Sequence, residues 1–278
     1  MSKFTEIDLA DKYRVLLTEV LPYELPIWFD PGCFYRLCSN GTFEQQHKKL
    51  KLFKDKAFIP LNYTISRGSA SSPRVLSIMH PMSQLEVCDF YEKYHNLIKY
   101  YATRSKHSLR YPYRLARKFY DKDESSSKAD IRLDVDGHES KTASSYFKYK
   151  SIAFLYNFFE SYQYHQLEKQ FSYMLQVDIA KCFPSIYTHT LGWATKSKRV
   201  IKNNLNGKGS FDRSFDDLMQ HTNYRETNGI IVGPEVSRIF SEIILQRIDL
   251  NLVQAMEDEN YKVGKDFQFK RYVDDYFI

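Results

Sequence analysis

The segment KRYVDDYFI, residues 270–278, sets two adjacent carboxylates, Asp274 and Asp275, inside an otherwise strand-like aromatic run. Two acids at a strand tip repel each other and face apolar neighbours, which is costly unless a cation sits among them. The same pattern also suits an Asp-containing hairpin turn, where Asp is a favoured residue. A second pair, Asp216–Asp217 in SFDDLMQ, lacks the apolar frame and reads as a solvated helix surface. A third acid, Asp178, ends the apolar stretch SYMLQV and precedes IAKCFPSI, 96 residues before Asp274. Neighbouring strands that each deliver a carboxylate can hold a pair of hard divalent ions, because Mg2+ takes oxygen ligands and keeps waters and substrate phosphates. Two such ions about 3.5–4 Å apart activate a 3′-hydroxyl and stabilise departing pyrophosphate, which is phosphoryl transfer by positioning and charge neutralisation.

The elements around these acids have the right character to position them. SYMLQVDIA (172–180) alternates like a strand, and so does FQFKRYV (267–273). Between them PEVSRIFSEIILQRIDLNLV (234–253) is the strongest helix in the chain and opens with Pro234 at its first turn. The order after residue 170 is therefore strand, polar stretch, helix, strand, with a carboxylate ending each strand. Upstream, helix-period apolar residues run from 5 to 20 (Leu9, Tyr13, Leu16, Val20) until Pro22 and Pro26 break them. Residues 50–80 read as short strands and loops, including RGSASSPR at 67–74. A helix then follows in which Ser83 and Glu86 have capping-box spacing and Leu85, Leu97, Ile98 and Tyr101 supply an apolar side. DKDESSSKAD (121–130) reads as an exposed loop, and Tyr146 to about Phe159 as a further helix. No internal repeat is present.

Composition narrows the classes. The 278 residues are 43% hydrophobic, enough for a real core, and the net charge of +6 permits a polyanionic partner. Cys33, Cys38, Cys88 and Cys182 form no C-x-x-C pair and read as reduced thiols, as in a cytosolic protein. MSKFTEIDLADKY carries acids and no apolar h-region, unlike a signal peptide, and no apolar run approaches the roughly 18 residues of a membrane span. Charge is uneven. Residues 101–122 hold Arg104, Lys106, Arg110, Arg114, Arg117, Lys118 and Lys122 against Asp121, an excess equal to that of the whole chain. Tyr101, Tyr111, Tyr113, Phe119 and Tyr120 interleave with them, the mixture found where phosphates and bases are both contacted; a solvated basic face is the alternative. On a helix Arg114 and Arg117 would share a face, with Arg110 one turn before. A second basic run, Lys196 to Lys208, includes Lys198 and Arg199 and has no acid. His189, in YTHT, reads as a structural, hydrogen-bonded histidine.

Three motifs in order carry a resemblance. VDIAKCFPSI resembles the stretch bearing the first catalytic aspartate of reverse transcriptases, and RYVDDYF resembles their Tyr-x-Asp-Asp motif. GIIVGPEVS (229–237), between them, is similar to the G-x-x-x-G-x-x-x-S motif that opens a nucleotide-contacting helix. SIYTHTLGWATKSK (185–198), ESYQYHQLEKQF (160–171) and RVLSIMHP (74–81) resemble the bacterial abortive-infection and related phage-defence group of these enzymes. The resemblance runs from about residue 70 to the end.

It implies an α+β, right-hand polymerase arrangement of fingers and an incomplete palm with a helical N-terminal region. The expected units are an N-terminal extension (1–70), fingers (71–168), a first palm part (169–190), a fingers/palm insertion (191–228) and a palm truncated after the Asp-Asp motif (229–278). Only three residues follow Asp275, so the resemblance implies the N-terminal part of a longer enzyme whose activity needs that continuation. Carried over by position, Asp178 and Asp274 would be the main ligands of two Mg2+ (or Mn2+) ions, with Asp275 auxiliary and the Ile179 carbonyl also reaching the metal. Phe183 would exclude a ribose 2′-hydroxyl, although it also fits a core position. Arg74 would meet the triphosphate, and Gly233 would allow close backbone approach to base or template. Arg110, Arg114, Arg117, Lys198 and Arg199 would contact nucleic acid.

Where many reverse transcriptases have Pro-Gln before the second glycine, this chain has Ile231-Val232, so the resemblance leaves RNA-directed and template-independent synthesis both open. The implied partners are RNA or DNA and deoxynucleoside triphosphates, with a noncoding RNA or a second copy of the chain in addition, and no membrane. The implied setting is the bacterial cytoplasm. A retron- or intron-type reverse transcriptase and a nonenzymatic nucleic-acid-binding module are the alternative readings.

Overall fold

The computed structural model describes residues 4–6, 8–19, 26, 29–43, 45, 57–66, 73–120, 145–150, 152, 155–196 and 209–278. Strand β1 (Phe4–Glu6) is followed by a 3-10 helix over Lys12–Leu17 rather than the long helix expected across 5–20. Asp8 and Asp11 explain the difference. Their carboxylates accept from the backbone N–H groups of Ala10 (2.8 Å) and Tyr13 (2.9 Å), so the chain turns twice before a helix can start. Helix α1 (Pro31–Ser39) is capped by Asp30, and strands β2 (Leu61–Ile65) and β3 (Arg74–Ile78) form an antiparallel pair.

Helix α2 (Pro81–Ala102) starts two residues before the expected capping box. Pro81 presets its first turn and His80 Nδ1 accepts from the Met82 N–H at 3.2 Å. Ser83 is instead buried inside the helix and Glu86 accepts from His221 at 3.0 Å. Ile98 is in the core as expected, but Leu97 is exposed, and Val87, Cys88, Phe90 and Tyr91 make most of the buried face.

The basic stretch after α2 is not helical. Pro112 stops a helix, and β4 (Pro112–Leu115) and β5 (Lys118–Tyr120) follow. β5 pairs with β1, and β4 pairs with β6 (Phe147–Tyr149). Arg114 and Arg117 therefore do not share a helix face. Nor does a helix run from Tyr146 to Phe159: β6 occupies its start, and α3 (Leu155–Phe159) only its end. The stretch 121–130 lies outside the described residues.

Helix α4 (Tyr162–Gln170) leads into β7 (Gln176–Asp178), which is shorter than the expected 172–180. Short helices α5 (Cys182–Ser185) and α6 (Thr190–Thr195) precede α7 (Phe211–Thr222) and the long α8 (Glu235–Asp258). Strands β8 (Lys270–Tyr272) and β9 (Asp275–Phe277) close the chain, and β9 lies between β7 and β8 in a three-stranded antiparallel sheet. The N-terminal half of α8 is buried all round, with Val236, Ile239, Phe240 and Ile243 joining the rings of Phe90, Tyr91, Phe147, Phe211 and Phe215 in the main core. A smaller cluster of Leu109, Ile152, Phe158 and Phe277 supports the three-stranded sheet. Among the described residues no helix is long and apolar enough to cross a membrane.

The start of α8 holds two buried carboxyls. The Glu235 N–H donates to the Glu19 carbonyl at 2.7 Å, and the Val236 N–H donates to Glu19 Oε2 at 3.1 Å, so Glu19 caps the helix from a distant segment. Glu235 accepts from the Ser145 hydroxyl and from the Tyr146 N–H. Burial and then the charge of Glu235 push Glu19 up to about 8, and burial pushes Glu235 up, with Arg238 working against both. The folded pair thus holds a proton that the unfolded chain has lost above its ordinary carboxyl range near 4.5. More protons bound in the native state mean that stability falls as pH rises from there to about 8, then levels off. Denaturant titrations from pH 5 to 9 should show this fall, and Glu19→Gln should flatten it. A profile that is flat in the wild type contradicts a raised Glu19.

Candidate active site

Asp178 and Asp275 are direct cross-strand partners, because β7 pairs with β9 in the register Asp178↔Asp275. Tyr272↔Asp275 is the last pair between β8 and β9, which leaves Val273 and Asp274 as a two-residue hairpin loop. Asp274 is tied to the end of β7 as well, since the Ile179 N–H donates to its carbonyl at 3.3 Å. The sheet thereby brings all three aspartates to one end, Asp178 exposed and the other two half-buried.

Their charges are poorly matched. Burial, and then the charge of Asp178, raise the Asp274 carboxyl, against the pull of Arg74 and Arg271. Burial raises Asp275 too, followed by the charges of Asp274 and Asp178. Arg271 does not cancel this excess, because Glu242 and Asp249 already hold it. Burial works against its charge and those two carboxylates more than offset the loss. The nearby Cys182 thiol is pushed up to about 11 by burial and then by Asp274, so it stays protonated.

The hairpin loop is strained. Val273 has a φ of 57°, the left-handed region that primed hairpin turns use and that glycine or asparagine normally fill. A β-branched residue there is an outlier, and such conformations cost about 1–3 kcal/mol and persist only where their surroundings hold them. Here Arg271 Nη1 donates to the Val273 carbonyl at 2.8 Å.

The other expected site residues fall in several places. Arg74 opens β3, and its charge bears on Asp274. The Ile179 carbonyl accepts from the Cys182 N–H at 3.2 Å and retains its second lone pair. Phe183, on α5, is partly buried and packs against the main core. Gly233 has a φ of 126°, and a Cβ there would lie 3.1 Å from the Ser77 carbonyl oxygen, while the Ser77 N–H donates to the Val232 carbonyl at 2.8 Å. The need for glycine is therefore met by the approach of β3.

Arg110 packs 5.2 Å from the Tyr149 ring and donates to the Tyr272 hydroxyl at 3.2 Å, so it braces the hairpin. Arg114 is exposed beside Tyr113 and directly opposite Lys148 on β6, and Arg117 is exposed beyond it. Two like charges directly opposed on a strand pair disfavour each other unless a polyanion lies over them. Lys198 and Arg199 lie outside the described residues. His189 is hydrogen-bonded to Asp216, and Asp216 also accepts from Gln220 at 2.8 Å. Asp216 is thus mostly buried by its own partners, contrary to the solvated surface expected for it, whereas Asp217 is exposed.

Glu242, Gln246, Asp249 and Arg271 went unnoticed in the sequence. The signal was present: 242, 246 and 249 are spaced i, i+4, i+7, a polar stripe on one face of the long helix α8. All three are buried.

Among the described residues, no three His, Cys, Asp or Glu side chains stand close enough together to hold a metal ion unaided. The donor set nevertheless suits Mg2+. It consists of hard carboxylate oxygens that repel one another, and Mg2+ needs only one or two protein carboxylates beside waters and phosphates. No known family model and no curated protein matches the chain.

Proposed function

We propose that this protein is a nucleotidyltransferase of the reverse-transcriptase type that adds deoxynucleotides to a primer, acting in the bacterial cytoplasm in defence against phage. One observation carries the reading: Asp178 and Asp275, 97 residues apart in sequence, meet as cross-strand neighbours beside the strained turn that holds Asp274. Asp178 and Asp274 would hold Mg2+, assisted by Asp275 and the Ile179 carbonyl. When bound, the metal supplies activation of the primer hydroxyl and neutralisation of the pyrophosphate charge. Arg74 would orient the triphosphate, as its charge already bears on Asp274. The exposed cations Arg114, Arg117 and Lys148 would track the nucleic-acid backbone.

Labelled deoxynucleotide incorporation by the full-length protein tests the proposal. It should need Mg2+ or Mn2+, stop with EDTA and resume when metal is restored. Comparing reactions with and without an added RNA template separates directed from untemplated synthesis. Incorporation that is indifferent to metal rejects the mechanism.

Phe183 stands five residues after Asp178 and is only partly buried, so its ring can bound the sugar site. Phe183→Ala should shift the ratio of kcat/KM values toward ribonucleotides by about tenfold or more, equivalent to ~1.4 kcal/mol. An unchanged ratio in folded protein makes Phe183 a core residue alone.

A further inference from the structure

We infer that Arg271 is a positioning residue for the aspartate turn, a guanidinium that hangs both arms of the hairpin on α8 and sets where Asp274 stands relative to Asp178. The inference rests on the metal-holding role proposed above for these aspartates. Every donor of Arg271 is used. Its Nε donates to Asp249 Oδ1 at 2.9 Å and its Nη2 to Asp249 Oδ2 at 3.0 Å. Nη2 also donates to Glu242 Oε1 at 3.0 Å, and Nη1 to Glu242 Oε2 at 2.8 Å. The fifth N–H goes to the Val273 carbonyl at 2.8 Å. A guanidinium has five such donors in a rigid fork, and no other side chain could satisfy two bidentate carboxylates and a carbonyl together.

The surroundings point to placement of the turn. The side chain is fully buried, and two carboxylates around one cation leave a net negative charge there. Buried ion pairs are often no more stabilising than apolar side chains of similar size, so stability alone is a weak reason for this group. An apolar side chain could not hold the Val273 peptide in its left-handed conformation. The same acids also reach the second arm. Tyr276 on β9 donates to Asp249 at 3.0 Å, and Gln246 donates to Glu242 at 2.7 Å while accepting from the Ser105 N–H. One helix face therefore supports β8, β9 and the loop between them. A shift of the turn would separate Asp274 from Asp178, and metal sites demand ligand positions held to within about 0.5 Å.

Arg271→Lys tests this, because lysine keeps the charge but has three donors on a flexible stem. In full-length protein, electron paramagnetic resonance titration should show Mn2+ binding weakened at least about tenfold. The Mg2+ needed for half-maximal incorporation should rise by a similar factor, with the nucleotide KM at saturating metal within about twofold of wild type. If the folded fraction drops but folded molecules bind Mn2+ as the wild type does, Arg271 is structural only and the inference is overturned. Tyr276→Phe removes only one hydroxyl from the network and covers the case in which Arg271→Lys does not fold. It should weaken Mn2+ binding about two- to fivefold, and unchanged binding overturns the inference. Asp274→Asn is the reference. If it binds Mn2+ as well as wild type, the metal site itself is wrong; if only Asp274→Asn loses binding, the site stands and the role of Arg271 falls.

Discussion

Asp178→Asn should lower deoxynucleotide incorporation by about 10³-fold or more, the scale of losing one preorganised charge-stabilising group, while leaving thermal stability unchanged or raised. The two effects have one cause. The charge of Asp178 raises both Asp274 and Asp275, so neutralising it relieves repulsion at the end of the sheet. Asn keeps the side-chain size, and Asp178 is exposed, so no packing is lost. An acid retained for structure would behave the other way, with stability lost and activity per folded molecule preserved. Incorporation rates measured beside thermal melts, both with and without Mg2+, separate the two patterns. With Mg2+ the wild type should gain stability that Asp178→Asn does not, since only a site with its ligands intact can link metal binding to folding.

The second large effect is expected at the β4–β6 surface. Arg114, Arg117 and Lys148 are exposed, and Arg114 faces Lys148 directly across the strand pair. Replacing all three by Ala should weaken binding to single-stranded nucleic acid by about 10²-fold at low salt, similarly for all sequences. The plot of log affinity against log salt should flatten by roughly 2, because each lost phosphate contact releases about 0.7 counterion on single strands. Stability should hold or improve, since the opposed like charges are removed. Arg110 is left in place because it braces Tyr272 and packs on Tyr149. An unchanged salt slope assigns these cations to a solvated surface and moves the search for the nucleic-acid contact elsewhere.

The sequence was most informative where local pattern and burial agree. The strong apolar run of 234–253 became α8, whose first half is buried on all sides, and 267–273 ended in β8, two of whose three residues are buried, whereas 172–180 yielded only the three exposed residues of β7. In the basic stretch, the helix on which Arg114 and Arg117 would share a face does not form. Pro112 and the pairing of β4 with β6 decide the conformation, and β6 lies far along the chain. At residues 5–20 apolar periodicity lost to two aspartate side chains that capture backbone N–H groups. The meeting of Asp178 with Asp274 and Asp275 could be anticipated from their apolar frames. What holds them could not, since Arg271 looks like one more basic residue of a strand until Glu242 and Asp249 are seen packed against it. Gly233 carries the same lesson. Its motif suggested room for a ligand, and the contact that excludes a Cβ is the Ser77 carbonyl.

The central claim is that Asp178, Asp274 and Asp275 form a metal-dependent nucleotidyl-transfer site. The most direct measurement is labelled deoxynucleotide incorporation by full-length wild type and Asp274→Asn across a Mg2+ titration, with circular dichroism confirming that both are folded. The account predicts incorporation that rises and saturates with Mg2+ in the wild type and no incorporation by Asp274→Asn at any concentration. Equal incorporation by the two folded proteins would contradict it.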